Sequence, residues 1–126
     1  MAHKDDETIR SDERLLRRIH PTQVIPDENL GRRRPTSAAF HDFELSVEIA
    51  SSLEARSLPL THSLAGHPGF FLASITAKIA RDHAQLVCRD PIPGNASHAL
   101  IVGKKSHRIQ KSLAVAAEWI AFPPDA

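Results

Sequence analysis

Apolar and polar positions alternate most regularly in "FELSVEIA", residues 43 to 50, where Phe43, Leu45, Val47 and Ile49 are interleaved with Glu44, Ser46 and Glu48. A period of two predicts a strand with one wet face. "SAAF", 37 to 40, is its expected hairpin partner, with His41-Asp42 as a tight turn that lacks the favoured glycine. Upstream, "SDERLLRRIHP" sets Leu15, Leu16 and Ile19 on one helical face behind a Ser11 or Asp12 cap, which predicts a helix ended by His20-Pro21. Residues 22 to 36 between them carry Pro26, Gly31, Pro35 and the triplet Arg32-Arg33-Arg34, and read as a long irregular loop.

Downstream, Ser51-Ser52-Leu53-Glu54 fits a capping box that opens a short helix, and Pro59, Gly66, Pro68 and Gly69 make the next stretch a loop. "FFLASITAKIARDHAQLVCRDP" keeps both periods. We divide it into a strand over 69 to 74, a helix over 75 to 84 and a strand over 86 to 89. "HALIVG", 98 to 103, is short enough for a buried strand. In "KSHRIQKSLAVAAEWIAFPP", Ile109, Leu113, Ala116 or Ala117, and Ile120 form one stripe, predicting a long amphipathic helix stopped by Pro123-Pro124. Residues 1 to 10 show neither periodicity nor a cap and are expected to be disordered or loosely held. The expected architecture is a single α+β domain over 11 to 126, a mixed sheet of four to five strands with two principal helices. Its C-terminal helix packs on the sheet, with Leu113, Trp119 and Ile120 in the core.

A chain of 126 residues has room for one core, and with five Phe, one Trp and no Tyr that core must rely on aliphatic side chains. Cys88 is the lone cysteine, so no internal disulfide forms, and no N-terminal apolar run resembles a leader or a membrane span. The expectation is a cytoplasmic protein without membrane contact, Cys88 being a buried, inert thiol. The net charge of +1 predicts no strong field, but it is unevenly spread. Arg81, Arg89, Lys104, Lys105, Arg108 and Lys111 face only Asp82 and Asp90 across 81 to 111, whereas 41 to 60 is acidic. With no aromatic residue alternating with these bases, nucleic-acid binding is expected to be weak at most and sensitive to salt.

Eight histidines raise the question of metal, yet HExxH and CxxC are absent. The nearest approach is His62 and His67 in "THSLAGHPG", with no second pair, and no metal or cofactor is expected. GxGxxG, GxxxxGKS and GxSxG are missing too. One anion site is conceivable on local grounds: if Ser106 caps the last helix, Lys104, Lys105 and Arg108 surround its N-terminus, and Arg32, Arg33 and Arg34 could add to it. In "RDPIPGNASHALIVG", His98 stands where a proline-broken loop meets a strand, a position that holds a side chain rigidly and within reach. It is the candidate acid–base residue; its alternative role is to close the strand's end by bonding a neighbouring carbonyl or Asp90.

The segments "RIHP", "RPTSAAF", "LSVEIA", "RDPIP" and "NASHALIVGKK" resemble those of small uncharacterised bacterial proteins, over residues 14 to 120. The resemblance implies a bacterial or phage origin and brings no activity and no catalytic residue. Two functions are therefore expected from the residues alone. The first is a binding module or accessory subunit acting through protein–protein contacts. The second is an enzyme or binder for a phosphate-rich ligand, RNA, nucleotide or NAD, with His98 as acid–base and the basic residues holding phosphate.

Overall fold

The computed structural model describes residues 3–124 and puts Leu15 and Leu16 on opposite faces of a sheet, both buried. The chain runs β1 (Arg14–Ile19), β2 (Val24–Asp27), β3 (Arg32–Pro35), β4 (Glu44–Ile49), α1 (Ala50–Ala55), β5 (Phe71–Thr76), α2 (Ala77–Asp82), β6 (Leu86–Arg89), β7 (His98–Val102), α3 (His107–Ala116) and β8 (Glu118–Ala121). Six strands form one sheet in the order β6-β7-β4-β1-β5-β8, and β2 with β3 makes a separate ribbon. Every pairing is antiparallel, so the sheet is larger than expected and is not mixed. The fold class, a single small α+β domain, is as the sequence implied. No helix among the described residues is long and apolar enough to cross a membrane.

The helix expected over 11 to 20 is the central strand β1. A strand covered on both faces carries apolar residues side by side, and Leu15, Leu16 and Ile19 then imitate a helical stripe. Leu15 and Ile19 join the main core beneath α2 and α3, while Leu16 packs with Leu53 of α1 and Leu72 on the other face. β4 and β5 flank β1, and each runs directly into a six-residue helix. Leu53 of α1 and Ala80 of α2 belong to different clusters, so the two helices cover opposite faces. Thr76 caps α2 by accepting from Ile79 N–H at 3.2 Å. The cap of α1 is not the anticipated box: Glu13, from the turn before β1, accepts the Ser51 N–H at 3.2 Å.

Three further expectations are corrected. Residues 22 to 36 are the β2–β3 hairpin, closed by Leu30 N–H donating to Asp27 Oδ1 and by Gly31 at φ 69°. Its two prolines are tolerated because a two-stranded ribbon needs no outer ladder. "SAAF" is a 3-10 turn (Ser37–Phe40) that drives Ala39 and Phe40 into the core instead of pairing with β4. The last helix stops at Ala116, and Glu118–Ala121 turns back as edge strand β8 on β5. Pleating then sends Trp119 and Ile120 to opposite clusters, Ile120 only partly buried.

Residues 3–10, expected to hang loose, wrap around the β6 edge. Asp6 N–H donates to Val87 O at 2.8 Å, Val87 N–H donates to Asp5 Oδ1 at 2.9 Å, and Arg81 pairs with Asp5 at 3.1 Å. Ile9 is 1% exposed within the main core. The segment satisfies an edge that would otherwise offer free backbone groups to another strand. Met1 and Ala2 lie outside the described residues. Ile9→Ala should therefore cost about 2–5 kcal/mol in denaturant unfolding; an unchanged midpoint would show that the segment does not dock.

Candidate functional site

β1 and β4 pair over only two positions, Leu15↔Ile49 and Leu16↔Glu48, and then part. The guanidinium of Arg17 enters at the separation, donating to Ser46 O at 3.0 Å and to Ala39 O at 3.2 Å. On the face carrying α1, one row crosses the sheet from β7 to β5: His98, Glu48, Leu16, Ser74. The 3-10 turn Leu60–Leu64 and the loop 90–97 rise beside this row. Between them lie two adjoining cavities of about 260 and 150 Å³, which share Arg18, Glu48, Ser63 and Asn95. His98 lines the inner cavity, and Arg56, His62 and His67 line the outer.

His98 is held firmly. Its Nδ1 lies 3.0 Å from Asp90 O and 3.1 Å from Asp90 Oδ2, and Asp90 N–H donates back to His98 O at 2.9 Å. Both partners of Nδ1 are acceptors, so Nδ1 carries the proton and the neutral ring presents a lone pair at Nε2. Among the described residues Nε2 has no hydrogen-bond partner, and the side chain keeps 16% of its surface. The Asp90 contact is the one anticipated for a strand-closing histidine; the free Nε2 at a cavity wall is what a purely closing role does not require.

Glu48 was read as part of a wet face, and it is buried, 7% exposed. Its Oε1 faces Arg18 at 3.5 Å, while the same Arg18 nitrogen donates to Ser63 O at 3.2 Å. Ser63 is 4% exposed, and its Oγ has no partner. Arg56, just past α1, reaches Ser97 Oγ at 3.3 Å. His67 sets its ring edge-on to Phe70 at 5.5 Å. Among the described residues no group of three or more His, Cys, Asp or Glu is placed to hold a metal. Glu48, Arg18, Ser63 and Asn95 were not singled out from sequence. The available signal was a Pro- and Gly-rich loop with two histidines, following an alternating strand that had nothing assigned to its polar face.

The basic residues proposed alongside His98 do not converge on it. Arg34 is buried and pairs with Asp27 at 2.7 Å, an arrangement that holds the Asp27 carboxyl below its ordinary range. Arg32 donates to Ala117 O at 3.1 Å, and Arg33 O accepts the Trp119 indole N–H at 3.1 Å. Lys105 is internal: its Nζ donates to Phe43 O, Ile101 O and Gly103 O at 3.1, 3.0 and 3.1 Å, tying the start of β4 to the end of β7. Lys104 and Arg108 are exposed around the α3 N-terminus, which Ser106 caps by accepting from Ile109 N–H. Cys88 is buried, its thiol pushed up by burial and by Asp5 and Asp6. The exposed large apolar side chains, Phe43, Ile92 and Phe122, stand before β4, in the β6–β7 loop and after β8, and form no single patch.

No protein-family model, curated protein or solved structure matches this chain.

Burial pushes Lys105 from its ordinary 10.5 down to about 8. Between those values the unfolded chain holds this proton more tightly than the folded one, so the Lys105 contribution to stability rises with pH across that window. Comparing unfolding free energies of the parent and Lys105→Met from pH 7 to 10.5 should show the rise only in the parent. Parallel profiles would remove Lys105 as its source.

Proposed function

We propose that the groove between β1, β4 and β7 binds a small anionic ligand and that His98 exchanges a proton with it. The observation that carries this reading is the His98 ring itself. Asp90 fixes its tautomer through Nδ1, Nε2 is left without a partner among the described residues, and the residue lines a cavity. A carboxylate-oriented imidazole in a partly closed site is the usual arrangement for a general base, and the resulting imidazolium is stabilised by the same carboxylate. Arg18, Arg56, His62 and His67 along the groove supply cationic and hydrogen-bonding character for an anion, against the single carboxylate of Glu48. The anion site thus differs from the one inferred at the α3 N-terminus, while the acid–base residue is the same. A protein-partner role has less to recommend it, because the exposed apolar side chains are scattered rather than gathered.

Inorganic phosphate is the simplest probe. Histidine-ring 15N–1H spectra should show His98 with its proton on Nδ1, and the His62 and His67 ring resonances at the groove's cationic end should move to saturation as phosphate is added. His98→Ala should keep the fold, losing about 1 kcal/mol with the Nδ1 bond, and should abolish any turnover found. His62 and His67 rings unmoved by millimolar phosphate, or a His98 proton found on Nε2, would overturn the reading.

A further inference from the structure

We infer that the ligand is a phosphorylated polyol, its hydroxyl-bearing end innermost beneath Ser63 and its phosphate at the cationic mouth. This rests on the anion-binding reading of the same groove and adds the chemistry of the second half of the ligand.

The two cavities differ in what they ask of a guest. At the inner one, Glu48 offers Oε2, which accepts no hydrogen bond among the described residues, and Ser63 Oγ is wholly buried without a partner. Asn95 spends its Oδ1 on the Ser97 N–H at 3.1 Å, which leaves its amide NH₂ to donate. A carboxylate here repels phosphate. It suits a neutral group that donates, and a hydroxyl both donates to Glu48 and accepts from the Asn95 amide. Ser63, whose orphaned Oγ costs free energy as it stands, lines both cavities. Leu16 and Ile92 add apolar surface to the inner wall, matching the C–H face of a sugar-like ring.

The outer cavity shares Glu48, Ser63 and Asn95 but adds cationic and imidazole groups that the inner one lacks. Arg56 is exposed and uses one guanidinium nitrogen on Ser97, so its other N–H groups can take phosphate oxygens, with His62 and His67 beside it. Since Arg18, Glu48, Ser63 and Asn95 belong to both cavities, a molecule spanning them passes over one continuous floor. The inner volume of about 150 Å³ admits one small ring and little more. Pentose phosphates and the ribose phosphate of a nucleoside 5′-monophosphate share the required chemistry.

Calorimetric titration of the full chain with inorganic phosphate, ribose, ribose 5-phosphate and AMP separates the possibilities. Ribose 5-phosphate should bind at least tenfold more tightly than phosphate or ribose. Ser63→Ala and Glu48→Gln should each reduce that advantage several-fold while leaving inorganic phosphate binding in place, and Arg56→Ala should weaken all three phosphate-bearing ligands. Should buried Glu48→Gln fail to fold, Ser63→Ala alone carries the test. AMP binding more tightly than ribose 5-phosphate would assign the polyol to a nucleotide, and weaker binding to a free sugar phosphate; either supports the inference. Phosphate binding with no gain from the ribose would overturn the inference and leave the anion site standing. Binding of none of the four would overturn both.

Discussion

The site depends on Arg17 standing where β1 and β4 part. Two central strands that separate after two pairs leave carbonyls without their ladder partners, each costing about 1–3 kcal/mol if buried and unsatisfied. Arg17 supplies N–H groups to Ser46 O and to Ala39 O, and so joins β4, β1 and the 3-10 turn at the point of divergence. Burial pushes the guanidinium down from its ordinary value and Asp42 opposes this; an arginine keeps its charge under such conditions. With the backbone satisfied from one face of the sheet, the other face can open. Arg18, the next residue, points there and meets Glu48 and the Ser63 carbonyl.

Elements whose apolar residues alternate cleanly or form a short run between breakers were legible. β4 follows the alternation of Leu45, Val47 and Ile49, β6 matches its expected span, and α1 and α2 lie within a residue or two of theirs. Double burial accounts for the failures at β1 and β8. β1 is covered on both faces, so its apolar residues cluster without alternation, and Ile120 and Trp119 serve opposite faces from adjacent positions. Periodicity reports one buried face and is blind to two. The docking of Ile9 was unreadable for another reason: a single apolar residue in a polar segment carries no period at all.

Within the site, His98 was legible because a loop-to-strand junction can be read from prolines and a following apolar run. Its Asp90 partner lies eight residues back, inside the same quoted stretch. Glu48 was not legible, because a glutamate on the polar side of a strand looks the same whether water or a loop covers it. Charge clustering misled for the basic residues. Arg34 and Lys105 hold internal carboxylate and carbonyl oxygens, so their positive charge is used in joining elements and is not displayed to a ligand.

The order of strands also bears on how the chain acquires its shape during synthesis. β1 comes first among the described strands and sits at the sheet's centre, yet its only long ladder, six pairs, is with β5, whose residues 71–76 are made much later. Until then β1 has two pairs with β4 to hold it, too few to fix a central strand. Such non-local pairing is slow to form, and it leaves Leu15, Leu16 and Ile19 without their main partner strand on the nascent chain until residues 71–76 are made. Arginines at Arg14, Arg17 and Arg18 flank and interrupt that apolar run. Charges beside an apolar run are the kind of residue that disfavours aggregation, and one of these three, Arg17, later fills the gap between the strands.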